Sequence, residues 1–214
     1  MNTRKFKALF LMAAIAALTI SCKEDPQPEP APPATDRVII TNAGQQANST
    51  GSISFYNPRE KSVSHNIFFK NNTYVPGDNL YSIYVDGDRS FLVMAGTGEI
   101  LEVDTKTMKM RERYEGFGAP HRMLKISENR FYVSDWQEQG VWILNTNNGN
   151  LIKSIPTGIG PENMVKWKDF VFVANSGAAF GDSSVTMIHA LADTVMTQIR
   201  VGRNPQLYAN RQRQ

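Results

Sequence analysis

A proline in a short polar turn returns every 41 to 44 residues along this chain, at Pro76, Pro120, Pro161 and Pro205. Each one opens the same succession of four short β-branched and aromatic runs separated by turn residues. After Pro120 the runs are Met123–Ile126, Phe131–Asp135, Val141–Asn145 and Leu151–Ile155. The preceding unit reads Ser82–Val85, Phe91–Met94, Ile100–Val103 and Met108–Arg111, and the following one Val165–Trp167, Phe170–Ala174, Val185–Ile188 and Val195–Ile199. No long stretch has helical periodicity, so the class is all-β. Four strands per period of this length is the arithmetic of a β-propeller blade; a β-helix has shorter periods and an immunoglobulin-like sandwich does not repeat. A lone four-stranded blade cannot bury both its faces, so blades stack radially around a channel.

The first unit is incomplete. Val38–Asn42, Ser52–Tyr56 and Val63–Phe69 supply strands matching the second, third and fourth of the later units, with no first strand before them. At the far end, residues 206–210 offer a single weak strand, Gln-Leu-Tyr-Ala-Asn, running directly into Arg-Gln-Arg-Gln. The chain therefore has material for about four blades, and an open arc is expected, with residues 206–210 not closing a ring against Val38–Asn42.

The N-terminus reads as an export signal. Arg4, Lys5 and Lys7 precede an apolar run from Ala8 to Ile20. That run is shorter than the roughly 20 residues a membrane-spanning helix needs, and fits the h-region of a signal peptide. It ends in Leu-Thr-Ile-Ser-Cys, a relaxed lipobox with Thr19 where Leu is usual, and Cys22 is the sole cysteine of the chain. A single thiol cannot pair within the chain, so acylation of Cys22 is the expected role. Residues 1–21 are thus assigned as signal peptide and 22–36 as acylated cysteine and tether. Blades span 37–210, and 211–214 form a tail. Five prolines between residues 23 and 36 favour an extended polyproline spacer. Lys23-Glu24-Asp25 resembles an acidic export signal, which places the protein at the outer membrane, lipid-anchored and displayed at the cell surface. The first 21 residues hold three of the 23 Lys and Arg and none of the 20 Asp and Glu, so the remainder is balanced at 20 against 20. Nothing in that balance points to nucleic acid.

Motif searches for a nucleophile elbow, HExxH, a phosphate-binding loop or an EF-hand find none. His65, His121 and His189 lie 56 and 68 residues apart, a spacing that supports no metal site. No cofactor and no enzymatic activity are expected. Asp135 aligns with Asn175 and Asn42 at the end of the second strand, and reads as a structural hydrogen bond before a catalytic acid. What remains is one face, shared by the proline turns and the loops joining second to third strands. It gathers Asp78, Asn79, Tyr81, His121, Arg122, Trp136, Gln137, Glu162, Asn163 and Asn175. Aromatic and amide groups around a shallow funnel suit a large polar ligand or a protein partner. Trp136 serves either such a ligand or packing against the neighbouring blade.

Two stretches carry a family resemblance. Thr157–Pro161, Val171–Gly177, Ser184–Ile188 and Ile199–Gly202 resemble the repeated pattern of YncE-like β-propellers, with His189 in place of the usual Asp. Phe131–Trp136 and Gly160–Met164 resemble a Bacteroidetes branch of lipoprotein propellers that includes the BtuG surface proteins. The resemblance covers residues 37–210. It implies a seven-bladed fold, of which this chain would be a truncated part. It also implies capture of a corrinoid, cobalamin, for transfer to a TonB-dependent outer-membrane transporter. A propeller with a protein or glycan partner at the cell surface is the alternative.

Overall fold

The computed structural model describes residues 37–44, 50–177, 179 and 181–208. Three four-stranded antiparallel sheets follow one of three strands. The first blade holds β1 (Val38–Asn42), β2 (Ser52–Asn57) and β3 (Ser62–Ser64), followed by the helix α1 (Ile67–Asn72). The second runs β4 (Leu80–Asp86), β5 (Arg89–Met94), β6 (Glu99–Asp104) and β7 (Met110–Tyr114). The third runs β8 (Pro120–Ser127), β9 (Arg130–Asp135), β10 (Gly140–Asn145) and β11 (Asn150–Pro156). The fourth runs β12 (Pro161–Trp167), β13 (Phe170–Asn175), β14 (Ser184–His189) and β15 (Thr194–Arg200). Each is a meander in chain order. The first strands β4, β8 and β12 pack on one another, which makes them the inner strands of a radial stack. The expected propeller architecture is what the chain forms.

Strand alternation explains why the blades must stack. In β5 and β6, Leu92, Met94, Leu101 and Val103 turn to the first blade, where they bury Ile53, Phe55 and Phe68. Their neighbours Phe91, Val93 and Ile100 turn the other way, onto Met123, Phe131, Val133 and Leu144 of the third blade. Tyr132, Val141, Ile143 and Ile155 then meet Val171, Val173 and Ile188 of the fourth. Residues of opposite parity thus belong to different cores, so both faces of each central sheet read as apolar. The pattern ends at the fourth blade, where all seven residues of β15 are exposed.

Polar clasps join the blade rims. Asp193, in the β14–β15 turn, accepts from the Tyr132 hydroxyl and the Arg130 guanidinium of the third blade. Asn72 reaches from α1 into the second blade, donating to the Met108 carbonyl and accepting from the Met110 amide.

Three expectations are corrected. Val63–Phe69 is not a strand: β3 stops at Ser64 and α1 begins at Ile67. The helix turns Phe68 fully into the core between the first two blades, a burial that an outer edge strand would not give it. The fourth strand of the second blade is not Met108–Arg111 but Met110–Tyr114; Met108 sits in the preceding turn at φ 57°, its side chain buried in the core. Finally, Pro76 is not the counterpart of Pro120 and Pro161. Those two pair with Asp135 and Asn175, and the residue that pairs with the equivalent Met94 is Leu80. The inner strands thus start 40 and 41 residues apart. At the far end, residues 201–208 carry no strand and β1 is the edge of its sheet. Residues 206–208 leave that edge uncovered, as the open arc requires; residues 209 and 210 lie outside the described residues, as do the leader, Cys22 and the tether.

Candidate functional site

The inner strands share a defect at their leading ends. Pairing between β4 and β5 slips between Leu80 and Ser82, between β8 and β9 from Pro120 to Arg122, and between β12 and β13 from Pro161 to Met164. A bulge takes a residue out of the ladder and re-aims its side chain. The residues taken out are Tyr81, His121 and Glu162 with Asn163. All three leading ends are held the same way: the amide following the second strand (Ala95, Trp136, Ser176) donates to the carbonyl before the inner strand (Asn79, Ala119, Gly160).

The bulged side chains of three blades converge on one carboxylate. Glu162 Oε1 accepts from the Tyr81 hydroxyl at 2.7 Å and from His121 Nδ1 at 2.8 Å. Its Oε2 accepts from Arg122 Nε at 3.4 Å. Because an ionised carboxylate only accepts, Nδ1 of His121 carries a proton. The imidazole is sandwiched, with Tyr81 stacked on one side at 3.9 Å and 19° and Trp136 on the other at 4.0 Å and 40°. The Arg122 guanidinium stands 5.1 Å over the Tyr81 ring. His121 and Glu162 are buried, Tyr81 and Trp136 half-buried, and Arg122 exposes 41% of its side chain. The Ser82 hydroxyl pins the His121 carbonyl from the neighbouring blade.

Asp135 organises the loop that carries Trp136. It is fully buried and accepts four backbone N–H groups, from Gly118, Ala119, Gln137 and Glu138, at 2.8–3.1 Å. That is the structural role expected for it. Gly118 is needed for close approach, since a Cβ there would lie 2.7 Å from that of Gln137.

A family model described as "Domain of unknown function (DUF5074)" matches residues 36–209. The chain belongs to the DUF5074 family. No curated protein was found to match its sequence. Among solved structures, this DUF5074 propeller is similar to a dihydro-heme d1 dehydrogenase, NirN, in complex with DHE: 14% identity, TM-score 0.58, covering 77% of this chain and 36% of that one. It is similar to Kuenenia stuttgartiensis hydrazine synthase at 18% identity and TM-score 0.52, covering 56% of this chain and 35% of that one. It is also similar to the WD40 β-propeller domain of Doa1 at 8% identity and TM-score 0.53, covering 70% and 47%. The DUF5074 chain thus spans about a third to a half of these proteins, and the likeness is one of fold.

Of the other expected face residues, Gln137 is exposed beside Gly118 and Asn163 is half-buried at the β12 bulge. Asp78 and Asn79 lie at the junction of the first two blades, where their carbonyls accept from Gly96 and Ala95. Asn175 is buried inside the fourth blade of the DUF5074 fold, donating to Ser184 and Thr186. These three do not join the Glu162 cluster. The Ser82 contact is absent from the expected face. Its position one residue after Tyr81 is the signal, because it stands where Arg122 stands in the next blade.

Two other hollows are less suited to recognition. At the opposite ends of β4, β8 and β12 a groove of about 980 Å³ includes Lys125 and Lys166, but Lys125 is paired with Asp86 and Lys166 is bonded to the Ile126 carbonyl. A cavity of about 260 Å³ beside α1 is walled largely by Ile53, Phe68, Phe69, Val75 and Pro76. Among the described residues no three His, Cys, Asp or Glu side chains gather as they would around a metal ion, and no helix is long and apolar enough to cross a membrane.

The electrostatics of the cluster predict acid sensitivity. Burial pushes the Glu162 carboxyl up, but hydrogen bonds from His121 and Tyr81 and the charges of His121 and Arg122 outweigh it and hold the group below its ordinary 4.5. On Tyr81, burial and the bond to Glu162 act together and push the phenol up from 10.0 to about 12. On the rim, the Thr107 hydroxyl and amide draw Asp104 from 3.8 down to about 2. For both carboxyls the folded value lies below the unfolded one, so their stabilisation is complete above 4.5 and 3.8 and is lost as pH falls through the folded values. The urea midpoint is expected to decline steadily once the pH drops below about 4.5. A midpoint that stays level down to the Asp104 value would contradict this.

Proposed function

We propose that this propeller is the binding module of an exported, lipid-anchored surface protein. Its recognition face is built on Tyr81, His121, Arg122, Trp136 and Glu162. The observation that carries this reading is the convergence of two bulged residues, Tyr81 and His121, on the buried carboxylate of a third, Glu162, each from a different blade. Bulges cost ladder hydrogen bonds, and here each aims a side chain into a shared cluster instead of the sheet. Glu162 is occupied by its three donors, so it braces a platform of stacked rings. The exposed guanidinium and the half-buried rings of Tyr81 and Trp136 lie where a ligand would rest. A preorganised face of this kind favours affinity, because little ordering is left to do on association.

The sequence resemblance supports a corrinoid as the ligand and a TonB-dependent transporter as the recipient. Cyanocobalamin titrated into the acylation-free chain, followed by Trp136 fluorescence or by heat, is expected to bind with a micromolar or tighter dissociation constant. Trp136→Ala is expected to weaken binding by about tenfold or more, the scale of one lost aromatic contact. No heat or quenching at micromolar ligand would overturn the corrinoid reading and favour the protein or glycan partner instead. For the anchor, Cys22→Ser is expected to release the protein from the membrane fraction. A variant that still sediments with membranes would overturn the lipobox.

A further inference from the structure

Resting on the reading of this face as a binding site, the geometry points to an anionic ligand group held by Arg122, so that the face takes a flat ring carrying a phosphate or carboxylate. Arg122 is fixed without being neutralised. Its Nε is spent on Glu162 at 3.4 Å, a long contact, while the closer bonds of that carboxylate go to Tyr81 and His121 at 2.7 and 2.8 Å. The guanidinium also stands 5.1 Å over the Tyr81 ring. Among the described residues no carboxylate or carbonyl is bonded to Nη1 or Nη2, and 41% of the side chain faces solvent. Asp135, at the end of the adjacent strand, is saturated by backbone amides.

A guanidinium tethered through Nε with its terminal nitrogens turned from the buried carboxylate is a two-pronged receptor for a carboxylate or phosphate. An arginine that merely closed an internal ion pair would direct those nitrogens at its partner and bury them. Here the partner is buried and the fork is not. Tyr81, over whose ring Arg122 stands, is itself half-buried, so a planar ligand meets a ring and a charge at that pair, and Trp136, stacked on the same imidazole as Tyr81, reports on it.

The test uses the intact mature chain and three small probes of one shape: phenyl phosphate, benzoate and the neutral benzamide. Quenching of Trp136, isolated by subtraction of a Trp136→Phe variant, reports binding. Both anions are expected to bind at least tenfold more tightly than benzamide, a margin set by a charge-assisted pair of about 1.5–3 kcal/mol, and to weaken with added salt. Phosphate outbinding carboxylate, or the reverse, identifies the source of the anion. Arg122→Gln is expected to remove the preference for the anions over benzamide, and Arg122→Lys to keep part of it. Should Arg122→Gln fold poorly, the salt dependence of the unaltered chain decides the matter. Equal binding of all three probes, salt-independent binding, unchanged anion affinity in a folded Arg122→Gln chain, or no binding of any probe would each overturn the anchor. Cyanocobalamin binding with no anion preference would leave the face intact and the anchor refuted. Anion binding without cyanocobalamin binding would do the reverse to the corrinoid.

Discussion

Phe131→Ala is expected to cost about 3–5 kcal/mol, the range for deleting a fully buried phenylalanine from a core that cannot collapse around the gap. The ring is wholly buried, 4.9 Å from Phe91 and edge-on to Tyr84 at 6.0 Å, both on the neighbouring blade. Its loss therefore opens a hole between blades and not within one. Whole domains have only about 5–15 kcal/mol to lose, so the variant is expected to unfold at far lower urea than the parent. Because the ring spans two sheets, the transition should also broaden as the blades uncouple. A midpoint within about 1 kcal/mol of the parent would mean that the second and third blades do not share a core.

Glu162→Ala is expected to be nearly as damaging, by a different route. It leaves the Tyr81 hydroxyl and the buried His121 Nδ1–H without an acceptor, at about 1–3 kcal/mol for each donor stranded in the interior. Three blades lose their common contact, so the stacked rings are expected to lose register and ligand binding to fail even at temperatures where the chain remains folded. Glu162→Gln separates the two effects. Its amide oxygen still accepts and its volume is retained, so stability should be largely restored. The Arg122 guanidinium would face a neutral partner and gain freedom. Circular dichroism melts of both variants, set beside binding of cyanocobalamin, check this. Equal stability of Glu162→Ala and the parent would refute the bracing role.

The architecture was legible because blade formation leaves a periodic trace: strands of opposite parity feed different cores, and the turns recur. The trace is weakest where the first blade departs from it. Val63–Phe69 is aromatic and β-branched enough for a strand, yet α1 delivers Phe68 to a core position that no alternation pattern announces. Met108 misled for a related reason, since burial in a turn looks like burial in a strand. The Glu162 cluster was legible as a neighbourhood, because Tyr81, His121, Arg122, Trp136 and Glu162 all flank the same step of the repeat. Its wiring was not. A bond from Tyr81 to Glu162 spans 81 residues of chain, and depends on bulges whose only sequence mark is the start of an inner strand. Pro76 obscured even that, by sitting four residues ahead of the equivalent position, Leu80. Asn175 shows the converse: alignment with Asp135 placed it near the face, but its amide is consumed inside its own blade.

The bulge at the head of each inner strand separates two demands that a sheet normally couples. A residue in the ladder must suit its cross-strand partners and its core; a bulged one answers to neither. In this chain that position already holds a phenol, an imidazole and a carboxylate in successive blades, on ladders that are otherwise alike. The three are freed from the ladder but tied to one another through Glu162, so a change at one blade's bulge has to be answered at the other two while the stacking surfaces stay as they are.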